Sequence, residues 1–355
     1  MSECDKKKYS SRVEISGKIY LNEYFGLGGN SDADTLRLYI TPDSIKFRKN
    51  ENENWQYSLT LFENAFIYNE VDGKRIKIIT RNNSKSQNYI KIRLQGVDAP
   101  ELHYAGDKGD LFLYPDVFSK YLSLKELFNF RQNWGGTSTK ELATYLEQFA
   151  VKEGTDKIVN VNAISNINSP SDLFDRYGRA IADIQIPETK NTLNHWLVEE
   201  GWAIADFYDS MSNDEILDLK NASLSASSSN KGILPNYKKE LVPFDYNLTL
   251  EYGASGFIDT DKGPFNMPKF FRKQVDYEIL KKSGYKVKTL KKFIETRKSK
   301  CYLVEDFLAQ RHCAQEHYLA EFIDDNDFMN VEPGSLVNIE SGSQIETPNI
   351  LTNWF

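Results

Sequence analysis

Ile90-Lys91-Ile92-Arg93-Leu94-Gln95-Gly96-Val97-Asp98-Ala99-Pro100-Glu101 opens as a strand and closes as a charged turn. Ile90, Ile92 and Leu94 alternate with Lys91, Arg93 and Gln95, the period of two of a strand with one buried face. Gly96 loosens the backbone, and Pro100 fixes φ between an aspartate and a glutamate. One strand end thus sends out Arg93, Asp98 and Glu101 together. A cation beside two carboxylates is what phosphate-ester chemistry on a metal requires. Taken alone, the same residues also fit a strand that simply ends in Asp-x-Pro.

Two further segments extend the pattern. Upstream, Asp32-Ala33-Asp34-Thr35-Leu36-Arg37-Leu38-Tyr39-Ile40 is an acidic turn running into an alternating strand. Downstream, Asp175-Arg176-Tyr177-Gly178-Arg179-Ala180-Ile181-Ala182-Asp183-Ile184 is a polar turn that feeds a strand with Ala180, Ala182 and Ile184 on one face. In chain order the three read Asp-x-Asp-Thr, Arg-x4-Asp-x-Pro-Glu and Asp-x-Tyr-Gly-Arg. With these motifs in this order, the chain resembles the staphylococcal nuclease (thermonuclease) family over residues 10–235.

The resemblance implies an α+β fold, a five-stranded OB-fold β-barrel with flanking helices. It also implies calcium held by Asp34, Asp98 and the carbonyl of Ala99. So few protein donors leave places for water and a substrate phosphate, because calcium takes about six to eight oxygens. By the same resemblance Arg93 and Arg179 grip the scissile phosphate, for which the planar, always-charged guanidinium fork is suited. Glu101 orients or deprotonates the attacking water, a general-base role that contributes roughly 10²–10⁴-fold. Tyr177 contacts the substrate phosphate, and Phe207 falls where the family places an aromatic near the bound base. The family's next aromatic falls on Asp209, with Tyr208 one place away, a departure that leaves nucleotide preference open. The implied reaction is in-line attack of water on DNA and/or RNA, leaving the phosphate on the 3′ side.

Asp72-Gly73-Lys74 is a rival for the first motif with shorter spacing to Arg93, but it puts Lys74 at the metal position, where a cation repels calcium. Asp32-Ala33-Asp34-Thr35 runs directly into a strand, as the motif requires. Two other classes stand beside a calcium-dependent nuclease. One is a catalytically weak nucleic-acid-binding or scaffold module of the same fold, which has no reason to keep Arg93, Asp98, Glu101 and Arg179 together. The other is a nuclease unit fused to a segment that docks a protein partner.

Composition fits a globular chain. The 355 residues are 40% hydrophobic and 13% aromatic, enough for a substantial core. Three cysteines, Cys4, Cys301 and Cys313, are odd in number and scattered, which argues against a disulfide framework. No apolar run follows the N-terminal Met1-Ser2-Glu3-Cys4, and none reaches the length of a membrane span, so the expectation is a cytoplasmic chain without membrane contact. The net charge of −7 requires that any surface for nucleic acid be a local basic one.

Along the chain, residues 1–238 form the nuclease-like domain and residues 239–355 a mainly helical C-terminal extension that is the candidate for a protein partner. Residues 41–88 look inserted between two barrel strands, with strand-like runs at 57–62 and 75–79 and a turn at Asp72-Gly73. Ser138-Thr139-Lys140-Glu141 reads as a capping box before a helix. Further helices are expected over 192–200, stopped by Gly201, and over 214–225. Lys281-Lys282, Lys286, Lys288, Lys291-Lys292, Arg297-Lys298 and Lys300 form a basic run that is either a phosphate-tracking surface or a solvated helix face.

Overall fold

Five alternating strands close into a ring. They are β1 (Ser11–Tyr20), β2 (Thr35–Ile40), β3 (Gln87–Leu94), β4 (Asp156–Ile167) and β5 (Ala180–Gln185). β1 pairs antiparallel with β2 and β4, β2 antiparallel with β3, β3 parallel with β5, and β5 antiparallel with β4. Inside the ring lie Val13, Ile15, Leu36, Leu38, Ile90, Ile92, Leu94, Val161, Ala182 and Ile184, all almost fully buried. Burying one such large aliphatic side chain is worth about 1.5–3 kcal/mol, so the period-two pattern fixes which face of each strand points inward. The fold is α+β with a closed OB-like barrel. The computed structural model describes residues 11–24, 32–41, 43–50, 52–57, 66–68, 75–82, 86–104, 106, 130–167, 170–175, 177–239, 263–282, 286, 288–339 and 345–346.

Residues 41–88 leave and return between two adjacent strands, since β2 and β3 pair directly from Thr35 opposite Arg93 to Ile40 opposite Asn88. The segment enlarges the barrel sheet. Ile45–Arg48 pairs with β1, and Ile79–Asn82 pairs with β3. The run expected at 75–79 is divided: Arg75–Lys77 pairs with Phe66–Tyr68, and Ile79 begins the strand beside β3. Of the run at 57–62 only Tyr57 is described, in the strand Gln56–Tyr57, and Asp72-Gly73 lies outside the described residues.

Four helices position the site: α1 (Gly135–Glu147), α2 (Leu193–Glu199), α3 (Asn213–Ser228) and α4 (Pro268–Lys282). α1 begins before the expected capping box, after Trp134 at φ 72, and Ser138 is a buried residue of the helix. The reason is contact with the site. A Cβ on Gly135 would lie 2.6 Å from the Glu101 carbonyl oxygen, so only glycine lets the helix start against that backbone. α2 is capped by Thr192, whose side chain accepts from the His195 amide, and Gly201 at φ 69 follows it. α3 opens with a complete Ser212–Glu215 capping box.

Residues 263–339 add strands as well as helices. Lys300–Leu303 pairs antiparallel with Leu336–Asn338 and His317–Tyr318, and Leu336–Asn338 pairs in parallel with Phe207–Tyr208. Tyr302, Val304, Phe307 and Val337 share one core with the barrel side chains. A second core joins Phe130 to Phe270, Phe271 and Val275 of α4. Buried Arg311 donates from Nη1 to the Met211 carbonyl (3.0 Å) and Asn213 Oδ1 (2.9 Å). Cys301 is free and buried. Among the described residues no helix is long and apolar enough to cross a membrane.

Candidate active site

Strand register brings the three motifs together. Thr35 on β2 lies opposite Arg93 on β3, and Arg93 lies opposite Ile181 on β5. Asp34, Arg93 and Arg179 therefore meet at one end of three neighbouring strands. The Asp34 carboxylate accepts from the Ala99 amide (3.4 Å) and from the Thr35 hydroxyl (3.0 Å). That places it against the Asp98–Ala99 peptide. Asp32 accepts from the Leu102 amide at 2.6 Å, and burial followed by the charge of Asp34 pushes its carboxyl up to about 7.

Asp175 shapes the third motif. Its Oδ1 accepts from the amides of Tyr177 (2.9 Å) and Arg179 (3.0 Å), and its Oδ2 accepts from Arg179 Nε at 2.7 Å. One carboxylate thus closes the turn and aims the guanidinium. Arg179 Nη1 then donates to Thr35 Oγ1 at 2.9 Å. Burial opposes the charge of Arg179, but Asp175 more than offsets it and the group sits above its ordinary pKa. Tyr177 stands beside it, 45% exposed, with its ring centroid 5.5 Å from the guanidinium carbon.

Arg93 leans over the Tyr208 ring at 4.8 Å and donates to the Tyr208 hydroxyl, which in turn donates to Asp206 Oδ2 at 2.7 Å. Lys269 Nζ lies over the other reach of that ring at 4.9 Å and 3.4 Å from Asp206. Despite burial, Lys269, the Tyr208 hydroxyl, Arg93 and Arg272 hold Asp206 below the usual carboxylate range. Tyr208 therefore supports Arg93 from beneath. Phe207 is fully buried in the barrel core, so a base-stacking role does not fit its placement.

Asp98 and Glu101 are both buried and both bound to Arg272 of α4. Arg272 Nη1 lies 2.8 Å from Asp98 Oδ1, Nη2 lies 3.1 Å from Asp98 Oδ2, and Nη1 also donates to Glu101 Oε1. The Lys269 amide, in the first turn of α4, donates to Asp98 Oδ2 at 3.0 Å. A carboxylate at a helix N-terminus is favoured by the unpaired amides and the dipole there. Burial pushes the carboxyls of both Asp98 and Glu101 up, with Arg272 opposing the shift in each. For Arg272 the same pairs outweigh burial and raise its pKa well above the ordinary value, so its charge is permanent.

This bears on calcium. A hard cation at Asp98 needs free carboxylate oxygens at about 2.3–2.6 Å. Both Asp98 oxygens already accept hydrogen bonds, and the group donating most of them is positively charged. In this arrangement Asp34, Asp98 and Ala99 do not fit a calcium ion. Among the described residues, no other group of acidic, histidine or cysteine side chains is arranged to hold a metal.

Arg272, Lys269, Asp206 and the orienting role of Asp175 were not anticipated. Asp175 was visible as the first residue of the third motif. Arg272 and Lys269 carry no local signal, because Pro268-Lys269-Phe270-Phe271-Arg272 reads as an ordinary amphipathic helix start.

A closed OB-like barrel with flanking helices defines a nuclease-like class of fold. Residues 91–234 match the family model described as Staphylococcal nuclease homologue, and the chain carries a domain of that family over those residues. The match begins inside β3, so Asp34 and the insertion lie outside it, as do Lys269 and Arg272. No curated protein matches the chain.

Proposed function

We propose that this domain is a phosphodiesterase that grips a nucleic-acid backbone phosphate between Arg93 and Arg179 and hydrolyses it. The observation that carries this reading is the convergence of both guanidiniums at one strand end, each aimed by its own carboxylate, Asp206 and Asp175. The two guanidiniums can donate to both non-bridging oxygens of a phosphodiester while the anion's charge is met from both sides. Tyr177, exposed beside Arg179, contacts the same phosphate or its neighbour. Arg272 meets Glu101 at Oε1, and the Glu101 carboxylate takes the proton of the attacking water through Oε2. The P–O5′ bond then breaks, the leaving oxygen acquires a proton from solvent, and the phosphate stays on the 3′ side. Calcium dependence, which the family resemblance implies, is left out of this reading because Arg272 occupies Asp98 and Glu101.

A second reading has an observation of its own. Two of the carboxylates that catalysis needs are tied up in ion pairs, which suits a module that binds nucleic acid without cutting it. End-labelled DNA and RNA oligonucleotides incubated with the protein separate the two. Products ending in 3′-phosphate support the phosphodiesterase. Salt-sensitive binding with intact strands supports the binding module.

A further inference from the structure

We propose that Arg272 is a built-in cation that takes the place of a divalent ion at Asp98 and Glu101, so that the site engages phosphate without calcium. Three observations converge on it. First, the guanidinium is bidentate on Asp98 and reaches Glu101 with the same Nη1, bridging the two carboxylates as a metal ion would. Second, Asp98 Oδ2 also accepts from the Lys269 amide, so one helix engages the carboxylate through both a side chain and its backbone. Third, the side chain of Arg272 keeps 21% of its surface exposed, and its charge acts on Asp206, the carboxylate that lies 4.0 Å from Arg93.

α4 is anchored rather than perched. Just ahead of it, Gln132 Nε2 donates to the Asn266 carbonyl at 2.7 Å, while Gln132 Oε1 accepts from the Glu101 amide at 3.3 Å. Asn133 Nδ2 donates to the Pro264 carbonyl and Trp134 Nε1 to that of Gly263, at 2.8 and 2.7 Å. Phe265 exchanges backbone hydrogen bonds with Asn236 and Lys238. Phe270 and Val275 are buried against Phe130. The segment that leads into Arg272 is therefore zipped to residues 132–134, which also hold the Glu101 backbone, and to residues 236–238. A lid that opens to admit a metal would have to break all of these at once.

In this role Arg272 is a positioning residue. It neutralises two buried carboxylates, fixes Glu101 and adds positive charge beside Asp206. The inference rests on the proposed phosphate site only for what the cation serves, and it holds whether that site cleaves nucleic acid or only binds it.

The test reads metal binding, not activity. Calcium is titrated calorimetrically into the full chain up to about 10 mM, above the weakest class of protein calcium sites, and terbium luminescence is followed in parallel. The wild-type protein is expected to show no uptake that depends on Asp98. Arg272→Gln is expected to gain a single ion, lost again in Arg272→Gln/Asp98→Asn, whereas Arg272→Lys, which keeps the charge, stays metal-free. Calcium uptake by the wild type that Asp98→Asn abolishes overturns the proposal. So does a folded Arg272→Gln that takes up neither ion. Should Arg272→Gln fail to fold, the wild-type titration decides alone.

Discussion

Arg179 Nη1 donates to Thr35 Oγ1 at 2.9 Å, joining the third motif to the first across 144 residues of chain. The same hydroxyl donates to Asp34 at 3.0 Å, so one threonine links the Arg179 guanidinium to the acidic turn. Both bonds involve a charged group, the class worth about 1.5–3 kcal/mol when lost. Thr35→Val keeps the shape and the strand propensity but removes the hydroxyl. Urea denaturation is expected to show a loss of about 1–3 kcal/mol. An unchanged midpoint would mean that Asp175 alone orients Arg179.

Asp183 on β5 gives a pH signature. Burial, then the charges of Glu215 and Asp218, push its carboxyl from 3.8 to about 8. Above pH 3.8 the unfolded chain releases a proton that the folded protein keeps until about pH 8. The native state binds more protons across that window, so stability falls as pH rises through it and the full penalty is present above it. Asp183→Asn removes the charge to be suppressed. The variant is expected to be more stable than wild type at pH 8, with the difference shrinking towards pH 4. Parallel midpoint-versus-pH curves for the two proteins would refute this.

Part of the basic run at 281–300 is paired with neighbouring carboxylates. Lys291 pairs with Asp325 at 2.9 Å, Lys292 with Glu295 at 2.7 Å, and Lys281 lies 3.9 Å from Glu278. Partnered lysines on a surface release few counterions when nucleic acid approaches. Replacing the partnered Lys291 and Lys292 together by glutamine is expected to leave the salt dependence of oligonucleotide binding nearly unchanged. Each true phosphate contact removed would lower the log–log slope by about 0.7–0.9, and a drop of that size for each lysine would restore the run as a binding surface.

The barrel was legible because its information is local. The alternation in β3 and β5, the capping at Ser212 and the stop at Gly201 each depend on a handful of adjacent residues. Arg93, Asp98, Glu101 and Arg179 were legible for a related reason, since they sit in short motifs whose spacing carries over from a family. The start of α1 was misread because Ser138-x-x-Glu141 satisfies the capping pattern, whereas the true start is set by a distant contact, Gly135 against the Glu101 backbone. Phe207 was placed near a bound base by its position relative to the family, and its side chain is fully buried. Arg272 lay beyond reach altogether. Its role exists only because α4 returns to the barrel from 171 residues beyond Glu101, and nothing in the residues around 272 states that destination.

Arg93→Lys and Arg179→Lys test the central claim most directly, because lysine keeps the charge and loses the paired donors. The measurement is the single-turnover cleavage rate of end-labelled single-stranded DNA and RNA, compared with wild type at matched folding by circular dichroism. Arginines that stabilise phosphoryl-transfer transition states elsewhere are worth about 10³–10⁵ in rate, and each substitution is expected to cost on that order with the fold intact. Cleavage by either folded variant within a few-fold of wild type would show that its arginine does not hold the scissile phosphate and would contradict the site described here.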